Sequence, residues 1–162
     1  MAVEIVESSG AIFALWGKPN RVDVARLIMR LRAAVERNGG PIVYVTRVPD
    51  GAPPPDAAVQ RYLNEVMPSI VAGCSSYHVV LEGSGFVAAL KRGVLVGMFQ
   101  ISQRRGMFFV HATCDDVVRA IGAEKAATVR SLLNRAKSQG LLDGNPLATM
   151  VPRAMTAFRK TG

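Results

Sequence analysis

Short β-prone runs alternate with amphipathic stretches along most of the chain. Runs rich in β-branched and aromatic residues predict strands over residues 3–7, 11–16, 42–48, 77–81 and 107–112. A Ser-Ser-Gly segment separates the first two runs and predicts a hairpin. Because helical patterns separate the later strands, the order predicts an α/β fold with packed helices on a mixed, mostly parallel sheet of four to five strands.

Apolar residues at helical spacing predict helices between and after these strands. They cover about residues 20–38, 57–71, 86–101, 114–122, 123–140 and 147–158. Asn20 and Thr113 are the predicted N-caps of two of them, each with an aspartate three residues later. Pro68 lies inside the second helical pattern, and we expect it to kink that helix or to end it early.

The composition is that of a chain with a substantial core. It has 162 residues, of which 49% are hydrophobic, close to the usual size of one domain. We expect an α/β domain over residues 1–122 and a helical, basic C-terminal extension over residues 123–162. The start of the chain carries two acids and no basic segment, which predicts no signal peptide. Two cysteines outside any C-x-x-C motif favour a reducing, cytoplasmic location.

Positive charge is concentrated in the second part of the chain. Residues 1–90 contain eight Lys/Arg and eight Asp/Glu, whereas residues 91–162 contain twelve and four, which accounts for the net charge of +8. This asymmetry favours an anionic partner, namely nucleic acid, a membrane surface or an acidic protein, or else it reflects one solvated face. The candidate contacts are Arg104, Arg105, Arg130, Arg135, Lys137, Arg153, Arg159 and Lys160.

The residue types that usually carry catalysis do not form a recognisable motif. The segment at residues 83–85, Gly-Ser-Gly, lacks the further glycine or the Gly-Lys-Ser/Thr of a nucleotide-binding loop, so we expect no cofactor. His78 and His111 have no acidic residue at metal-ligand spacing, which predicts no metal site. Cys114 lies at a predicted helix start, where its pKa should fall. We predict no catalytic residue, with an enzyme using Cys114 or His111 as the weaker alternative.

Ser84 follows a predicted strand and precedes a predicted helix. Its hydroxyl is expected to cap that helix. The same position would stabilise a phosphate, because free backbone N–H groups and the helix dipole both favour a dianion there. Ser84 is therefore a candidate phosphoacceptor as well as a candidate cap.

The segment Val-Val-Leu-Glu-Gly-Ser-Gly at residues 79–85, followed by Phe-Val-Ala-Ala-Leu-Lys-Arg at residues 86–92, resembles the STAS-like family of anti-sigma-factor antagonists. The resemblance extends in element order over about residues 3–122. It implies a mixed sheet with packed helices, no catalysis, and a partner kinase or anti-sigma-like protein that docks near the serine turn. By position, Ser84 would match the phosphoacceptor of the family. The spacing between strand and serine is shorter here than is usual in that family.

These observations lead to one main hypothesis and several alternatives. The main hypothesis is a non-catalytic protein-interaction module in bacterial-type signalling or scaffolding, switched by phosphorylation at the serine turn. Its predicted partner-binding residues are Glu82, Gly83, Ser84, Gly85, Phe86, Lys91 and Arg92. The alternatives are binding of nucleic acid or an anionic membrane, and binding of a small ligand or lipid. The predicted helix over residues 86–101 is apolar nearly all round, which also favours a homodimer.

Overall fold

The computed structural model describes residues 3–83 and 107–143. The strands in this part of the chain are β1 (Val3–Ser8), β2 (Ala11–Trp16), β3 (Ile42–Val48), β4 (Cys74–Leu81) and β5 (Phe108–His111). The helices are α1 (Arg21–Asn38), α2 (Ala57–Ala72), α3 (Cys114–Ala120) and α4 (Ala123–Ser138). The helices predicted over residues 86–101 and 147–158 lie outside the described residues.

The five strands form one sheet in the order β1-β2-β3-β4-β5. β1 and β2 are the predicted hairpin and pair antiparallel, while each later strand pairs parallel to its neighbour. The prediction of a mixed, mostly parallel sheet is therefore confirmed. β4 begins three residues before the predicted strand, because Cys74 already pairs with Ile42 of β3.

Helices cover both faces of the sheet. On one face the core is built from α1 and α2 packed on inward-facing strand residues such as Ile12 and Tyr44. On the other face α3 and α4 pack on a second set that includes Phe13 and Val45. Because both faces are covered, β2 and β3 are apolar along nearly their whole length and show no polar alternation.

The predicted helix caps are present. Asn20 and Thr113 each accept a hydrogen bond from the backbone of the residue three positions on, and that aspartate bonds back to the cap. Of the two effects expected of Pro68, a kink or an early end of the helix, the early end does not occur, since α2 continues to Ala72. Pro68 and Asn64 both lie on the exposed side of α2, where water can hydrogen-bond the Asn64 carbonyl that loses its usual partner.

Helix α4 supplies a large part of the second core. Val129, Leu132 and Ala136 are each 0% exposed, and the helix contacts β1 and β2. The sequence predicts these residues as part of a C-terminal extension that begins at residue 123. In the structure α4 forms, together with α3, the helical layer on the second face of the sheet.

Two arginines from opposite layers bind the edge strand β1. Arg26 of α1 donates to the Val3 carbonyl, and Arg135 of α4 donates to the Glu7 carbonyl at 2.6 Å. The Glu7 carboxylate also binds Arg30 and Arg37 of α1. Side-chain donors therefore occupy backbone acceptors of an edge strand, which reduces the tendency of such an edge to pair with another chain.

Substitution of Leu132 by alanine should test whether α4 belongs to the same folding unit as the sheet. Since Leu132 is fully buried, Leu132→Ala should lower the free energy of unfolding by about 3 kcal/mol. Leu27→Ala, at a fully buried position on the opposite face, is the matched comparison. Urea unfolding followed by circular dichroism should give one transition that both variants shift. If Leu132→Ala left that transition in place while Leu27→Ala moved it, residues 123–138 would fold separately.

Candidate functional site

A groove of about 390 Å³ lies between α3 and α4. Two residues, Ile121 and Gly122, connect these helices, so the chain turns back and α4 lies beside α3. The lining residues are Cys114, Asp115, Val118, Arg119, Arg130, Leu133, Asn134, Lys137 and Leu142. We call this feature the α3–α4 groove.

The groove arises because α4 uses two adjoining faces. Positions 129, 132, 133 and 136 point into the core, whereas positions 130, 133, 134 and 137 line the groove. Both sets keep the spacing of one helix face, and Leu133 belongs to both. Leu133 is only 6% exposed, so it forms an apolar floor together with Val118 and Leu142. The two charged residues of α4 that line the groove, Arg130 and Lys137, lie on either side of Leu133 along the helix.

The walls of the groove differ in charge. On the α3 wall Arg119 already pairs with Asp116 at 2.7 Å, and Asp115 adds an exposed carboxylate. On the α4 wall Arg130 and Lys137 are both exposed. Within residues 3–83 and 107–143, neither of these two cations has a carboxylate within ion-pair distance. The α4 wall is thus a positive surface whose two cations form no ion pair in the described structure.

A buried ion pair lies near one end of the groove. Arg47 of β3 is 2% exposed and binds the Glu82 carboxylate through two nitrogens, at 2.7 and 2.9 Å. A third nitrogen of Arg47 donates to the carbonyl of Leu141, the neighbour of the groove residue Leu142. The bidentate geometry fixes the guanidinium plane. Arg47 thereby joins the end of β4 to the segment that follows α4.

The cysteines are not activated thiols. Burial raises the pKa of Cys114 to about 11, with Glu82 and Asp115 adding to the rise and Arg47 opposing it. The expectation that a helix start would lower the pKa of Cys114 was wrong, because the loss of water outweighs the contribution of a two-turn helix. Burial also raises the pKa of Cys74 to about 12, and its thiol donates to the Ile70 carbonyl. Both groups stay protonated at neutral pH.

The two histidines meet on the sheet face beneath α3 and α4. His78 Nδ1 lies 3.0 Å from His111 Nε2, and His78 Nε2 lies 3.1 Å from the Ser76 hydroxyl. Burial lowers the pKa of His78 to about 4, helped by the nearby charges of His111 and Lys125. Burial lowers the pKa of His111 as well, although Asp116 opposes this. The spacing of Ser76 and His78 resembles a nucleophile and its base, but both are buried and neither lines the groove.

The residues predicted around the serine turn are only partly described. The Glu82 carboxylate forms an ion pair with Arg47, and the Glu82 side chain is 30% exposed. Gly83 has a φ of 108°, and a Cβ built there would lie 2.7 Å from Asp50 Oδ1, so this position requires glycine. The other predicted partner-binding residues lie outside the described part of the chain: Ser84, Gly85, Phe86, Lys91 and Arg92. The homodimer prediction rests on residues 86–101, which also lie outside it.

The candidate contacts for an anionic partner separate into three groups. The structure brings Arg130 and Lys137 together on one wall of the groove. It places Arg135 elsewhere, at the β1 edge. The remaining candidates lie outside the described residues: Arg104, Arg105, Arg153, Arg159 and Lys160.

Sequence reasoning missed three features of this region: the groove itself, the buried Arg47–Glu82 pair and the contact between the histidines. One signal for the groove was present, since Arg130 and Lys137 are seven residues apart and flank Leu133 on one helix face. No comparable signal existed for the histidines, because their contact depends on the register of β4 against β5.

No group of three or more His, Cys, Asp or Glu in residues 3–83 and 107–143 is arranged to hold a metal ion. None of the helices in these ranges has the length and apolar character needed to cross a bilayer.

Comparison of the chain with family models, with curated proteins and with solved structures finds no match. The STAS-like resemblance therefore stays a prediction.

The burial of His78 should make stability depend on pH. The folded-state pKa of His78, about 4, lies below its ordinary value of 6.5, so its neutral form is favoured by folding. The contribution of neutral His78 to the free energy of unfolding is complete above about pH 6.5. It is lost as the pH falls toward about 4, because the His78 side chain is protonated in the unfolded chain at a higher pH than in the folded protein. Between about pH 7.5 and about pH 5 the free energy of unfolding should fall by about 2 kcal/mol from this group.

His78→Gln is the matched variant for that measurement, since glutamine still forms hydrogen bonds but does not titrate. Urea unfolding of both proteins at the two pH values should show a clearly smaller fall for His78→Gln. Equal falls in the two proteins would mean that His78 does not set the pH dependence.

The Arg47–Glu82 pair should matter more for stability than the exposed pair nearby. Glu82→Gln leaves the buried guanidinium without its counter-charge, and we expect it to cost about 2 to 3 kcal/mol of unfolding free energy. Arg119→Gln removes the exposed Arg119–Asp116 pair and should cost clearly less, because water screens an exposed ion pair. Chemical unfolding of the two variants gives the comparison, and similar losses would show that the Arg47 site is well solvated.

Proposed function

We propose that this chain is a non-catalytic binding module that takes an anionic partner in the α3–α4 groove. The observation that carries the proposal is the α4 wall, where Arg130 and Lys137 face a concave, apolar-floored surface and have no carboxylate partner in the described structure. A partner that brings negative charge would supply the missing counter-charge, and burial of its apolar atoms on the floor would add affinity.

The state of the titratable groups supports a binding role. Both thiols have raised pKa values, so neither supplies a thiolate nucleophile at neutral pH. Both ring nitrogens of His78 are already engaged, one by Ser76 and one by His111. Two free cysteines, one buried and one half-buried, also fit the proposed cytoplasmic location, where thiols stay reduced.

A signalling role through the serine turn is a second proposal, and the Arg47 contacts favour it. Glu82, two residues before Ser84, binds the same guanidinium that holds the Leu141 carbonyl beside the groove. A phosphate added at Ser84 would introduce nearly two negative charges two residues along the chain from Glu82. Competition for Arg47 would then connect modification of the turn to the groove wall.

The groove proposal is tested by removing its two unpaired cations. Arg130→Gln combined with Lys137→Gln lowers the net charge by two, and so does the control, Arg32→Gln combined with Arg61→Gln on exposed parts of α1 and α2. The probes are a labelled glutamate-rich copolymer, oligothymidylate and phosphatidylserine vesicles. We expect the groove variant to bind at least one probe about tenfold more weakly than the wild type, and the control variant to lose far less.

An equal loss in the two variants would show that only net charge matters, and that outcome would contradict the groove proposal. Circular dichroism of each variant confirms that folding is unchanged, since all four positions are exposed.

A further inference from the structure

We infer that the partner of the α3–α4 groove is an acidic peptide segment, with one apolar side chain between two carboxylates. This inference rests on the proposed function and specifies its ligand class. It follows from the spacing of the two cations, from the floor between them and from the chemistry of the opposite wall.

Along α4, the groove wall presents a positive charge, then an apolar surface and then a second positive charge. Arg130 and Lys137 are separated by seven residues, which is about 10 Å along a helix. Leu133 lies between them at the groove floor and is 6% exposed. A ligand that matches this wall needs two anionic groups roughly 10 Å apart and an apolar group between them.

An extended peptide meets this requirement with few residues. Alternate side chains of an extended chain point the same way, so positions i, i+2 and i+4 share one face. Carboxylates at i and i+4 are about 13 Å apart at their Cα atoms, and the long side chains of Arg130 and Lys137 can spread to meet them. An apolar residue at i+2 then faces Leu133.

The groove is poorly suited to nucleic acid. Among residues 3–83 and 107–143, none of those that line it is aromatic, so this part of the chain offers no surface there on which bases can stack. The opposite wall carries Asp115, and Arg119 there is already paired with Asp116. A continuous phosphate backbone would bring negative charge against Asp115, whereas a peptide can place an uncharged residue there.

The groove is equally poorly suited to a membrane surface. Of the three apolar residues at its floor, Leu133 is almost fully buried and Val118 and Leu142 are half-buried. Membrane-surface helices instead present their apolar side chains outward, into the acyl region. A flat bilayer would contact the charged rim and leave the floor empty.

The test uses a labelled seven-residue peptide with glutamate at its second and sixth positions, leucine at its fourth and serine elsewhere. Three matched peptides replace both glutamates by glutamine, replace leucine by serine, or place the glutamates side by side with leucine at the end. Fluorescence anisotropy measures binding of each to the full chain. We expect the first peptide to bind best and to lose about tenfold in affinity with the Arg130→Gln and Lys137→Gln double variant.

The outcomes separate this inference from the proposed function. If the rearranged peptide or the serine peptide binds as well as the first one, the inferred spacing and apolar anchor are wrong. If oligothymidylate or phosphatidylserine vesicles bind in a way that depends on Arg130 and Lys137 while the peptides do not, the ligand class is wrong and the groove proposal stands. If no probe binding depends on these two residues, both proposals fail.

Discussion

The burial of β2 and β3 on both faces is the constraint on which the rest of this structure depends. Nearly every side chain of these two strands is removed from water, and that is stable only when each sheet face is covered by an apolar helix surface. Helices α1 and α2 cover one face. Helix α4, with α3 beside it, covers the other. The groove forms on the outer side of this second layer, so its shape follows from the need to cover the sheet.

Burial also decides what each polar group in the molecule can do. Arg47, His78 and Ser76 lie on the covered sheet face, and each is paired within the fold. In such surroundings an unpaired polar group would lower the stability of the fold, so the hydrogen bonds of these side chains serve to stabilise the structure. Arg130 and Lys137 stand at the rim, where water solvates them and no internal partner is needed. That difference makes the rim, and not the polar cluster beneath it, the candidate for binding.

Helix α4 illustrates how one segment can serve packing and binding together. One face packs on the sheet through Leu132 and its neighbours, a second face lines the groove, and Arg135 on a third binds the edge strand β1. Arg130 and Arg135 have the same chemistry and lie five residues apart, yet only Arg130 faces the groove. The helical twist places them on different sides, so their roles differ although their charges do not.

The sequence by itself determined the local elements and the class of the fold. The hairpin, the strand over residues 42–48 and the capping boxes at Asn20 and Thr113 depend on neighbouring residues, and such short-range signals can be read along the chain. The alternation of strands and helices then predicted a mostly parallel sheet. The tertiary structure decided the placement of α4 in the core, the raised pKa of Cys114, the meeting of His78 with His111 and the separation of Arg135 from Arg130 and Lys137. Each of these depends on strand register, on the face a helix presents or on the loss of water, and these are properties of distant segments brought together.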